Sequence, residues 1–141
     1  MADPNQIERL IHNGRSLVAY DDAEGRVIGW PEMAYESIRA INHLTSRGQI
    51  IPAPTLYSIL GELKGVGSLL PQALEQLGRG LTASLEQLDV TEDDPTRDPA
   101  DSVATTLSLL DQAEGLARAL GATLEAAQAA IAGQGYKSRG E

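Results

Sequence analysis

Apolar residues return along most of the chain at three- and four-residue steps, the spacing of one face of an α-helix. Near the start, Ile7, Leu10 and Ile11 keep this spacing behind Asp3, a capping side chain, and Pro4, whose fixed φ suits the first helical position. Asn13-Gly14 ends that segment. Two runs then break the helical period. SLVAY at 16–20 and RVIGW at 26–30 are rich in β-branched and aromatic residues and flank the turn-forming Asp21-Asp22-Ala23-Glu24-Gly25, which predicts a β-hairpin. Two strands alone are marginal in water, so Val18, Tyr20, Val27 or Ile28, and Trp30 are expected to pack on helices.

Pro31-Glu32 opens a second helix with Ala34, Ile38, Ile41 and Thr45 in one arc and Glu32, Glu36, Arg39 and His43 opposite. Arg47-Gly48 and Pro52-Ala53-Pro54 separate it from a third, which carries Leu56, Ile59, Leu60, Leu63 and Val66 and is expected to end at Gly65-Val66-Gly67. A fourth helix is predicted over 68–88, with Ser68 as cap, Pro71 in the first turn and a seam of Leu70, Leu74, Leu77, Leu81, Leu85 and Leu88. Residues 89–100 hold five acids and two prolines and read as a solvated linker. The fifth helix, predicted over 99–132, carries Val103, Leu107, Leu110, Ala113, Ala117, Leu120, Leu124, Ala127 and Ile131 and would be about 50 Å long. Residues 133–141 read as a frayed tail.

These elements define a mainly α single domain over 1–141, a helical bundle with a long C-terminal antiparallel helical hairpin and one small N-terminal β-hairpin. The helix, β-hairpin and second helix occupy 1–52, and the bundle occupies 53–132. The predicted core alternates Leu with Ala, and the chain has no Phe, so each buried side chain removes modest area from water. Interior glycines such as Gly61, Gly65, Gly78 and Gly121 each cost about 1 kcal/mol against Ala and point to close helix crossings or kinks. Because the fifth helix exceeds the fourth by about thirteen residues, roughly 20 Å of axis, part of its apolar stripe lacks a partner within one chain. Leu107, Leu110, Leu120, Leu124 and Ile131 are therefore the expected interface of a homodimer.

A length of 141 residues and 15.0 kDa suits one domain, and 42 % apolar with 22 % charged residues suits a folded one. The absence of Cys excludes disulfides, thiolate metal sites and a cysteine nucleophile, and fits a reducing cytoplasm. The opening MADPNQIERL lacks the basic and apolar regions of a signal peptide, and no 18-residue stretch is apolar enough to span a bilayer; the expected location is cytoplasmic. The net charge of −9 is concentrated late: residues 1–70 hold 6 basic and 8 acidic side chains, and residues 71–141 hold 5 and 12. Only Lys137 and Arg139 come close to clustering among the cations, so direct binding to a phosphate backbone is not expected.

Candidate chemistry is sparse. Glu8 with His12, and Glu36 with His43, are the carboxylate–imidazole pairs on helices, but Glu36 and His43 are separated by about 10 Å of axis, and neither pair has the Glu-x-x-His spacing of a bundle metal site. The acidic run from Glu92 to Asp98 lacks the spacing, central Gly and closing Glu of an EF-hand loop. Nucleophile-elbow, P-loop and dinucleotide-binding motifs are all missing. No catalytic, cofactor-binding or metal residue is assigned. Gly29-Trp30 has the reverse order of the Trp-x-Gly turn in small secreted helical hairpins, so that match is rejected. Trp30, Tyr35 and Tyr57 are expected to anchor the N-terminal half of the core, with an exposed aromatic patch as the alternative.

The segments GRVIGWPEMAYESIRAINHLT, LPQALEQL and AIAGQGY resemble small uncharacterised helical proteins of high-GC actinobacteria, including those of plasmids and integrative elements. The resemblance implies a bacterial cytoplasm and a mobile-element setting, and it carries over no functional residue. The function expected from the residues is non-enzymatic: a protein–protein interaction or oligomerisation module that acts as a homodimer or on a partner protein, with no membrane or nucleic-acid contact. Two other classes remain open, a small-ligand sensor or enzyme with a pocket near the aromatic N-terminal half, and an acidic regulator of a nucleic-acid-binding protein.

Overall fold

The structure, a computed structural model, describes residues 17, 20–22, 25–27 and 29–140. These residues are mainly helical and fall into two compact units, residues 1–50 and 51–141. The expected first helix, with Glu8 and His12, lies outside the described residues, as do the side chains of Val18, Tyr20, Val27 and Ile28.

Trp30 does not end a strand, contrary to expectation. It begins helix α1, Trp30–Thr45, in which Gly29 caps the N-terminus and Pro31 occupies the first turn, where its missing N–H costs nothing. The helix stops where Ser46 folds back, its N–H and its hydroxyl both donating to the His43 carbonyl, and Gly48 then takes a left-handed φ of 66°, a conformation glycine adopts without strain.

The second unit corrects the sequence reading. The predicted third and fourth helices are one continuous helix, α2, Ala53–Gln87, which runs through Gly65-Val66-Gly67 and carries Pro71 in its interior. Helix α3, Pro99–Ala130, packs against it as an antiparallel hairpin. The lengths are therefore 35 and 32 residues, and the expected thirteen-residue mismatch does not exist. The glycines fail to end the helix because they supply the contact between the helices: a Cβ on Gly67 would sit 2.8 Å from both Cα and N of Gly121 and 3.2 Å from the Ala117 carbonyl oxygen. That close approach offsets the weak helix propensity of glycine. Pro71 withholds an N–H from the Gly67 carbonyl one turn earlier, and its ring is buried in the same seam.

Small residues consequently occupy the seam. Gly67, Pro71 and Gly78 of α2 are buried, as are Val103, Ala117, Gly121 and Gln128 of α3. Leu107 and Leu110 lie over Gly78, at 3.1 and 3.5 Å from the position of its missing Cβ. With the Pro71 ring, Val103 and Ala117 are the buried apolar side chains among the described residues, a very thin core for helices this long. Leu70, Leu77, Leu88 and Leu120, all expected in seams, are exposed.

The loop between the helices is more organised than a solvated linker. Asp94 accepts hydrogen bonds from the backbone N–H (2.9 Å) and hydroxyl (2.7 Å) of Thr96. The Ser102 hydroxyl, one turn into α3, donates to Glu92 and accepts from Arg97. Asp98 caps α3 by accepting from the N–H of Ala100 at 2.9 Å, with Pro99 at the first helical position, as the Asp-Pro pair predicts.

Candidate interaction face

Helix α2 and helix α3 present two unlike sides. Glycine contacts set the register: Gly67 meets Gly121, and Gly61 lies 3.0 Å, measured from its missing Cβ, from the side-chain nitrogen of Gln128. That nitrogen donates to the Tyr57 carbonyl at 2.9 Å, so a buried amide is satisfied across the hairpin. On one side of this seam stand charges. Lys64 reaches Glu125 at 3.5 Å, Arg79 pairs with Glu75 at 2.5 Å, and Arg118 pairs with Glu114 at 3.4 Å. Glu75, Arg79, Asp111 and Glu114 line an open groove with Leu74, Leu107 and Leu110 at its floor. Each exposed pair contributes about 0–1 kcal/mol, and together they act mainly to keep this side wet.

The other side carries no charge within its apolar arcs; Glu62 lies beyond them, about 160° from the seam. At about 100° per residue, Ile59, Val66, Leu70 and Leu77 fall within an arc of about 40° on α2, and Leu109, Leu116 and Leu120 fall within a similar arc on α3. Each arc is rotated about 75–105° from the seam in the same sense about its own helix. Because the helices run antiparallel, equal sense brings both arcs to one side of the hairpin. Lys64 and Glu125, rotated the opposite way on their helices, meet on the other side at 3.5 Å. The exposures are large: 39 % for Leu70, 53 % for Leu77, 58 % for Leu109, 72 % for Leu116 and 52 % for Leu120. Between them lie Ala73, Ala113, Thr123 and Ala127, small and uncharged.

The residues assigned to a dimer interface from sequence thus part company. Leu107 and Leu110 are half-buried against Gly78 of the same chain, Leu124 and Ile131 are half-buried, and Leu120 faces solvent. Leu109 and Leu116 were missed. Their seven-residue spacing, with Leu120 four further on, is the signal that marks them, and it sits one helical step away from the seam chosen. Of the aromatic residues, Trp30 is half-buried and Tyr35 exposed in the first unit, and Tyr57 is exposed in the second, so neither tyrosine anchors a core.

The Glu36 carboxylate accepts from Arg39 at 3.1 Å. Among the described residues no cluster of three or more His, Asp or Glu side chains is arranged to hold a metal ion, and no helix is long and apolar enough to cross a membrane. Asp94 has its carboxyl held below the ordinary value of 3.8 by the backbone and side-chain hydrogen bonds from Thr96, a turn device with no partner beyond the loop. No protein family, no curated protein and no solved structure matches the chain.

Proposed function

We propose that the chain is a non-enzymatic protein–protein interaction module that works through the uncharged side of its helical hairpin. One observation carries the reading: five leucines, each at least 39 % exposed, lie on one side of a two-helix unit whose ion pairs Lys64–Glu125, Arg79–Glu75 and Arg118–Glu114 are gathered on the other. A contiguous exposed apolar surface on an otherwise acidic protein is costly to keep in water and marks a contact site. The enzyme reading gains nothing from the groove beside Glu75 and Glu114, which is open and bordered by side chains already engaged in ion pairs.

The test compares the native chain with the double substitution Leu70→Glu, Leu116→Glu. Both side chains are exposed, so the hairpin is expected to keep its helical circular dichroism. The native chain is expected to form a complex, with itself or with a protein from the organism that encodes it, that the substituted chain does not form. Equal behaviour of the two chains refutes the proposal. A β-hairpin centred on residues 20–27, shorter than the expected one because Trp30 belongs to α1, is proposed for the first unit, supported by the pairing of Tyr20 with Val27; absence of cross-strand nuclear Overhauser effects between them would exclude it.

A further inference from the structure

Resting on that reading, we infer that the occupant of the apolar side is a second copy of this chain, and that two hairpins stack face to face, end-reversed, as a four-helix bundle. The exposed leucines run from Leu70 to Leu77 on α2 and from Leu109 to Leu120 on α3, which centres them near the middle of a 35-residue and a 32-residue helix. A copy rotated about a two-fold axis through that centre brings leucine onto leucine and overlaps all four helices along most of their length, with the two copies of α2 offset by about 10 Å. A single helix the length of α1, 16 residues or about 24 Å, spans only half of a hairpin about 48 Å long.

Two helices side by side present a face roughly 18 Å wide, so the hairpin offers up to about 850 Å² per copy, close to the roughly 800 Å² per partner of a stable interface. Closure into four helices also gives the leucines what the thin two-helix seam does not, neighbours on the remaining side.

Charge chooses the orientation. The loop carries Asp89, Glu92, Asp93, Asp94 and Asp98 against a single Arg97. Copies with both loops at one end would bring two such acidic clusters together, whereas end-reversed copies hold them about one helix length apart. The charged sides, with Lys64–Glu125 and Arg79–Glu75, stay outward in solvent in this arrangement.

Light scattering coupled to size exclusion, at micromolar concentrations of the full chain, is expected to give twice the 15.0 kDa monomer mass. Leu70→Glu with Leu116→Glu is expected to return it to one copy with helicity retained, and Glu75→Gln, on the charged side, to leave it doubled. The native chain has no cysteine, so a single spin label at Gln87→Cys, near the loop end of α2, reads the orientation without substitutions at the face. End-reversed copies place the two labels about 40–45 Å apart. A separation near 20 Å overturns the end-reversed packing. A native chain that stays monomeric overturns the self-pairing outright. If that monomer captures another protein through Leu70 and Leu116, the interaction reading stands while this inference falls; if it captures none, both fall.

Discussion

Substituting Ala for Gly in the middle of a solvated helix ordinarily raises stability by about 1 kcal/mol, because Ala loses less backbone entropy on folding. At Gly67 the sign should reverse. A methyl there would sit 2.8 Å from two backbone atoms of Gly121 and 3.2 Å from the carbonyl oxygen of Ala117. None of these is the end of a flexible side chain, so relief requires the two helices to separate. Overpacking of this kind costs about 1–3 kcal/mol, and separation also loosens Leu107 and Leu110 from Gly78. Set against the propensity gain, the net loss is about 1–2 kcal/mol. Gly115 in α3 and Gly80 in α2 have nothing within 4 Å of the same added methyl, so Gly115→Ala and Gly80→Ala should gain about 0.5–1 kcal/mol. One substitution type thus spans roughly 2–3 kcal/mol across the hairpin, several degrees in Tm for a chain of this size. Thermal and urea unfolding followed at 222 nm, at one fixed protein concentration, read the difference. A Gly67→Ala chain as stable as the native one would refute the close crossing, and with it the account of why α2 runs through its glycines.

Gln128→Ala removes the hydrogen bond to the Tyr57 carbonyl and leaves a void beside Gly61, so urea unfolding should show a loss of about 1–2 kcal/mol. Asp98→Ala deletes the cap on α3 and should cost about 1 kcal/mol, with faster amide exchange confined to the first turn, at Ala100 and Asp101. Because the Asp94 carboxyl is held below its ordinary value by Thr96, its contribution is complete above that ordinary value and disappears as pH falls through the lowered one. In a carboxyl-carbon titration the Asp94 midpoint should lie below 3.8 and move up towards it in Thr96→Ala.

The sequence was most legible where punctuation is local. Asp98-Pro99 starts α3 at the predicted residue, and Pro31 marks the start of α1, because capping and proline geometry depend on a few adjacent atoms. Gly65-Val66-Gly67 was misread because the same local rule treats glycine as a stop, whereas its role here depends on Gly121, more than fifty residues away. The leucine seam was misphased for a related reason: leucine marks the seam only if the core is built from large residues. Here Gly67, Pro71, Gly78, Ala117 and Gly121 form it. Gly67 and Gly78 stand eleven residues apart, three helical turns, so a small-residue face was present in the spacing. What no spacing rule supplied was which of the two faces, small or leucine-rich, turns inward.

That choice has an energetic logic. Glycine and alanine in the seam let the helix backbones approach, which gains dense van der Waals contact but buries little apolar area, since Val103, Ala117 and the Pro71 ring are the buried apolar side chains there. Had the leucine arcs been turned inward instead, each would have contributed about 1.5–3 kcal/mol, and the hairpin would have been a self-sufficient pair with a polar exterior. With them outward, the largest available apolar stabilisation is reserved for whatever covers that side. Folding of the second unit and occupation of its uncharged face are then coupled by mass action. If the cover is a second copy, the midpoint of thermal unfolding rises with protein concentration in the native chain and becomes independent of it when Leu70 and Leu116 are replaced by Glu. A concentration-independent midpoint in the native chain would mean that the small-residue seam alone holds the hairpin together.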